Sequence, residues 1–206
     1  MSEKYESNEE RVSYGIGRQM GEQLSANSFL GLNVEAVMEG LSDSLNELPC
    51  PVADADMDAA FQAVAEKMKA EQTEGEKGQA EEGEQFLFLN AKREEVTVTP
   101  SGLQYEILTA GDGDIPGVSS TVRTHYKGTL INGNVFDSSY DRGEPAEFPL
   151  NAVIPGWTEA LQIMSVGSKW RLYVPSELAY AERGAGAAIP PHAALVFDVE
   201  LLDIVG

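Results

Sequence analysis

Apolar positions recur every fourth residue near the start of the chain, where Val12, Ile16, Met20 and Leu24 fall on one stripe of a helix predicted from Asn8 to Asn27. Gly15, Gly17 and Gly21 interrupt that stripe. A glycine costs an exposed helix interior about 1 kcal/mol relative to alanine, so three close together point to another backbone crossing tightly. A second stripe, Val34, Val37, Met38, Leu41, Leu45 and Leu48, follows an N-cap candidate at Asn33 and stops at Pro49 and Pro51. Two short amphipathic helices without paired cysteines or metal ligands cannot enclose a core, and a second copy related by a two-fold axis is the simplest cover. After Asp54 the spacing of Met57, Phe61, Val64 and Met68 continues helically, then gives way to the polar run AEQTEGEKGQAEEGEQ before Phe86, Leu87 and Leu89. That middle has no apolar face and carries Gly75, Gly78 and Gly83, which predicts one long, locally flexible connecting helix reaching residue 93.

From Val96 onward the period changes to two. Val122, Thr124 and Tyr126 alternate with Arg123, His125 and Lys127, and WRLYV and ALVFDVELLDIV repeat the pattern with aromatic and branched residues, so all three are predicted strands. Asn132-Gly133 marks a hairpin, and WTEALQIM places Trp157, Ala160, Leu161 and Met164 on one short helical face. The class is α+β, with an antiparallel sheet packed on one helix after a helical N-terminal region. Three segments result: a helical dimerisation region over residues 1–53, a long connecting helix within 54–95, and a sheet domain over 96–206.

Charge narrows the partners. The 206 residues carry a formal net charge of −20, and 21 acidic against 8 basic residues lie up to Pro100. Phosphate backbones require clustered Lys and Arg, so nucleic acid is excluded as a partner and anionic membrane surfaces are disfavoured. Solubility through self-repulsion is the ordinary reading of such acidity, and attraction of basic clients the sharper one. Cys50 is alone, which leaves no intramolecular disulfide. The start MSEKYESNEE is acidic with no apolar signal region, and no run approaches the roughly 18 apolar residues of a membrane span. A soluble, cytoplasmic protein is the expectation.

Candidate chemistry is sparse. His125 and His192 are the only histidines and lack a second ligand at metal spacing, so no metal site is expected. A triad of Ser138, His125 and Asp137 can be drawn on paper, but no G-x-S-x-G elbow accompanies it. The run Gly184 to Ala188 lacks the Lys-Ser/Thr pair of a phosphate loop and reads as a mobile loop. What remains is VFDSS and VIPGW, which supply Phe136, Val153, Ile154 and Trp157 beside a lone carboxylate, Asp137. With Tyr126, Tyr180 and Phe197 they form either an apolar pocket with one polar handle or an ordinary core.

From Gly102 to Ile204 the chain resembles the FKBP-type peptidyl-prolyl isomerase domain, through VRTHYKGTLINGNVFDSS, VIPGW, MSVGSKWRLYVPSELAY and IPPHAALVFDVELL in order. The N-terminal part, with YGIGRQMGEQL, resembles the two-domain bacterial FKBPs of the MIP type, in particular the cytoplasmic 22-kilodalton members. The resemblance implies a homodimer of intertwined N-terminal helices, with a long third helix carrying each catalytic domain in a V-shaped molecule. It implies a cofactor-independent isomerase of proline-limited folding, with unfolded or proline-containing clients held by the dimer and FK506- or rapamycin-type macrolides as inhibitors. The alternative is a non-catalytic proline-segment binding module or holdase chaperone.

By the same resemblance Trp157 is the pocket floor, and Tyr126, Phe136, Val153, Ile154 and Phe197 are its walls. Asp137 and Tyr180 supply polar contacts at the rim, the Ile154 N–H holds a substrate or macrolide carbonyl, and Phe148 and Ile189 bind substrate, Ile189 from a loop over the pocket. Two positions depart from the family pattern: Ala146 replaces a common aromatic, and Ala181 replaces the glycine after Tyr180. The second matters if that backbone needs positive φ, which alanine resists.

Overall fold

The computed structural model describes residues 4–26 and 28–206. Met1 to Glu3, part of the acidic start, and Asn27, the last residue of the first predicted helix, lie outside them. The chain divides into two compact units, Met1–Gln72 and Thr73–Gly206, with the boundary inside a helix.

In the first unit α1 spans Asn8–Ala26. Its start is fixed by a capping box: Ser7 Oγ accepts from the Glu10 N–H at 3.1 Å, and Glu10 Oε2 accepts in return from the Ser7 N–H at 3.0 Å. Helix α2 spans Val34–Leu45, and Asn33 caps it by accepting from the Ala36 N–H. Among the described residues before Thr73 none is buried, and Val12 and Ile16 on the α1 stripe are 62% and 55% exposed. A Cβ built on Gly15, Gly17 or Gly21 meets nothing within 4 Å. Among the described residues, no backbone makes the tight crossing predicted at these glycines.

Helix α3 runs unbroken over Asp54–Asn90, 37 residues, straight through Gly75, Gly78 and Gly83. Its last turns are more than a connection, because they pack into the second unit. Gly83 is buried with its backbone against Ala194, where an added Cβ would lie 3.2 Å from the alanine methyl. Asn90 donates to Gln104 Oε1 at 2.9 Å, and Gln104 donates back to the Leu87 carbonyl at 2.9 Å. Arg93, just past the helix end, donates to Tyr173 Oη at 2.7 Å and to Glu106 at 2.9 Å.

The second unit adds β1 (Val96–Val98), β2 (Gln104–Thr109), β3 (Thr121–Leu130), β4 (Val135–Ser138), α4 (Ser139–Arg142), β5 (Ala146–Pro149), α5 (Pro155–Leu161), β6 (Lys169–Val174) and β7 (Leu195–Ile204). The strands form one antiparallel sheet in the order β1-β2-β6-β7-β3-β4. β5 pairs with the first half of β3 and β4 with its second half. Alternation sets the inner face: Val122, Thr124, Tyr126 and Gly128 on β3, and Leu195, Phe197, Val199 and Leu201 on β7, are all buried. Helix α5 lays Gly156, Trp157, Ala160 and Leu161 on that face. Gly156 permits the approach, since a Cβ there would fall 2.6 Å from Val174 Cγ1.

The strands and helix foreseen from periodicity are present. β1, β2 and β5 were not foreseen; the four residues of β5, AEFP, contain a charge and a proline, and only the register Val122↔Phe148 and Thr124↔Ala146 makes them a strand.

Candidate active site

The inner sheet face leaves an open cavity of about 480 Å³ over α5. Trp157 lies at its floor, 4% exposed. Three aromatic rings meet the indole edge-on: Tyr126 at 5.2 Å, Phe197 at 5.4 Å and Phe148 at 5.8 Å between centroids. Phe136 makes the same kind of contact with Phe197 at 5.6 Å. Each such pair contributes about 0.5–1.5 kcal/mol beyond its buried area, so the floor is rigid before any ligand arrives.

Backbone register places these rings. Tyr126 comes from β3 and Phe197 from β7, while β4 delivers Phe136 and Asp137 opposite Gly128. Gly128 is a functional position that sequence reasoning missed. A Cβ there would lie 2.5 Å from the Phe136 ring and 2.9 Å from the Phe197 ring, so only glycine lets both rings lie over the strand. On the far wall Val153 and Ile154 precede Pro155, the first residue of α5, where the missing N–H costs nothing. Among the described residues the Ile154 N–H donates no hydrogen bond, which leaves it free for a ligand carbonyl.

Nine of the ten predicted site residues line the cavity: Tyr126, Phe136, Asp137, Phe148, Val153, Ile154, Trp157, Tyr180 and Phe197. Ala152, Pro155 and Ala179 complete the lining. Ile189 lies in the loop between Arg183 and Leu195, as expected, but is not among the residues that line the cavity. It is 5% exposed, packed into the core, and its N–H and carbonyl both bond Ala185 across a short bridge. Ala146 is half-buried against the core, and Phe148, two residues on, is the aromatic that reaches Trp157.

Asp137 is not a lone carboxylate. Tyr126 Oη donates to its Oδ2, and Arg142 donates to its Oδ1 and, at 2.9 Å, to Tyr126 Oη. Helix α4 holds Arg142 in place: Ser138 caps it by accepting from the Asp141 N–H, and Gly143 closes it at φ 76°. Burial pushes the Asp137 carboxyl up, but the Tyr126 and Arg142 donors outweigh it and hold the group below the ordinary carboxylate range. Burial and the neighbouring Asp137 raise the Tyr126 phenol above its ordinary value. Arg142 was missed because nothing in the local pattern distinguishes it from a surface arginine. The paper triad does not assemble, for Ser138 is spent on capping α4 and His125 Nδ1 lies 3.0 Å from Ser139 Oγ.

At the rim Tyr180 is half-exposed and leads into a 3₁₀ turn over Ala181–Arg183. Ala181 does take φ 47°, and its carbonyl accepts from the His192 N–H at 2.8 Å. A left-handed alanine costs roughly 1–2 kcal/mol, which the packing around this loop sustains.

An aromatic-floored pocket whose single carboxylate is already neutralised, with a free N–H on one wall, defines a binding domain for a small apolar ring carrying a carbonyl. The comparisons agree: residues 113–202 match the FKBP-type peptidyl-prolyl cis-trans isomerase domain, and residues 9–107 match the domain amino-terminal to it. The FKBP-type 22 kDa peptidyl-prolyl cis-trans isomerase of Escherichia coli is 50% identical over 97% of both chains. The outer membrane protein MIP of Legionella longbeachae is 37% identical over 96% of this chain and 86% of its own. The crystal structure of FkpA from Escherichia coli superposes with a TM-score of 0.74 at 34% identity, over 97% of this chain and 98% of that one. The chain belongs to the FKBP-type peptidyl-prolyl cis-trans isomerases.

Proposed function

We propose that the cavity over Trp157 is where this protein isomerises X-Pro bonds, and that the N-terminal helices pair two copies to hold unfolded clients near it. The arrangement of rings carries the reading: a proline ring fits a floor of edge-packed aromatics, and the one carboxylate lining the cavity is already engaged by Tyr126 and Arg142. Rotation about the prolyl amide faces a barrier of about 18–20 kcal/mol because resonance must be broken. Apolar walls strip the water that stabilises the planar, charge-separated amide and so favour the twisted state. The Ile154 N–H fixes a client carbonyl. Asp137, held ionised by Arg142 and Tyr126, acts electrostatically on the rotating carbonyl where water is excluded.

Macrolides of the FK506 and rapamycin type, which present a ring and a carbonyl of similar shape, should compete for the same walls. Ile189 serves substrate binding by anchoring the loop that carries Tyr180, through the Ala185 bridge. Cytoplasmic residence is our reading of the single, exposed Cys50, which leaves no intramolecular disulfide. The test is cis-to-trans relaxation of a short proline peptide. Native protein should accelerate it, and Phe197→Ala should remove most of the acceleration while leaving the fold intact by circular dichroism. A native protein that leaves the relaxation unchanged would reduce the pocket to a binding module.

A further inference from the structure

The prolyl pocket does not end at Val153 and Pro155. Both residues also line a second, shallower groove of about 630 Å³, which continues along the solvent face of α5 to Ile163 and is closed on its other side by Val118. The floor is apolar and open, with Val118 54% and Ile163 45% exposed. Its polar side chains are mostly spent internally. Thr158 donates to the Leu150 carbonyl at 2.7 Å, and Gln162 donates to the Thr158 carbonyl at 2.8 Å. Glu159 accepts from Ser101 Oγ at 2.6 Å, and among the described residues no cation pairs with it. The groove therefore offers an occupant apolar contact, the exposed Asn151 amide and one carboxylate.

Resting on the isomerase reading, we infer that this groove docks the part of a client chain flanking the proline, and that it selects an apolar residue with a neighbouring Lys or Arg. Continuity with the pocket supplies the occupant, since a chain whose proline ring sits over Trp157 passes along a shared wall into the groove. Reach supports it. Pro155 to Gln162 advances about 10 Å at 1.5 Å per helical residue, the length of about three extended residues. Charge complementarity sets the preference, because Glu159 faces the groove without a cation in a chain of net charge −20. The groove thus extends recognition from the prolyl ring to a short segment outside it.

The experiment compares kcat/KM for a proline tetrapeptide with the same peptide lengthened by Leu-Lys-containing segments on its N-terminal or its C-terminal side. One of the two extensions should raise kcat/KM about five- to tenfold, the scale of partly burying one leucine. Val118→Glu and Ile163→Glu, both at exposed positions, should cancel that gain and leave the tetrapeptide rate and the melting temperature unchanged. Glu159→Gln should abolish the preference for Leu-Lys over Leu-Gln. If neither extension helps, or if the variants weaken the tetrapeptide as much as the longer peptide, the groove is not a client subsite. Absence of tetrapeptide turnover by the native protein would instead count against the isomerase reading itself.

Discussion

At the scale of single residues the site depends on how its one carboxylate is held. Arg142 and Tyr126 hold the Asp137 carboxyl below its ordinary range. A carboxyl depressed in the folded state contributes stability above its unfolded value, near 3.9, and loses it as pH falls through the lower folded value. Native activity should consequently persist to acid pH below the usual carboxylate range. Arg142→Ala removes two of the compensating effects while burial still pushes the group up, so the acid limb of kcat/KM should move to higher pH; a profile measured from pH 3 to 7 that does not move would show Asp137 to be a bystander. Ala181 is the opposite kind of residue, strained at φ 47°. Ala181→Gly relieves roughly 1–2 kcal/mol and returns about 0.5–1 through the freer unfolded chain, so urea denaturation should show a gain of about 0.5–1 kcal/mol. Ala181→Val should show a loss. The strain was anticipated from a missing glycine, whereas the Arg142 bond was not, because it depends on α4 turning the chain back toward Asp137.

At the scale of elements, what could be read from the sequence tracks how much each element specifies itself. β3 and β7, ten residues each with strict alternation, and the apolar face of α5 were readable because their own side chains define the buried face. β5 exists through pairing with β3, more than twenty residues away, so no local window contains its cause, and α4 is a single turn held by the Ser138 and Gly143 caps, too short to show an apolar period. The Ser7-Glu10 capping box fixes the start of α1, and its S-x-x-E form is a local signal that the periodicity of the apolar stripe does not include. The polar turns of α3 were read as weak because their support comes from Gln104, Ala194 and Tyr173, far along the chain. The clearest test of element packing is Gly128. Gly128→Ala inserts a methyl where both Phe136 and Phe197 already lie, and overpacking of this kind costs about 1–3 kcal/mol. Tetrapeptide kcat/KM should fall at least tenfold as the rings are displaced, and near-ultraviolet circular dichroism should register their movement. Unchanged activity with unchanged stability would mean that the strand yields and the rings do not.

At the scale of the whole molecule the first unit poses a thermodynamic problem. Its described residues bury nothing, yet α1 and α2 are helical with exposed apolar stripes, and α2 is 12 residues long. An isolated helix of that length is marginal in water, since nucleation is costly and most helical stability comes from packing. The proposed pairing of two copies resolves this, with the open space at Gly15, Gly17 and Gly21 receiving the partner backbone. Folding of these helices and dimerisation should then be one event: dilution should lower the far-ultraviolet helix signal in step with dissociation measured by sedimentation. Each copy carries −20, so association should tighten as salt rises and screens the repulsion. Ile16→Glu buries a charge at the seam and should yield a monomer with reduced helicity, while the sheet domain keeps its activity on a tetrapeptide. On a proline-limited refolding protein the same variant should be slower than native, because two pockets no longer share one client. If Ile16→Glu remains fully helical and dimeric, the α1 stripe is not the seam.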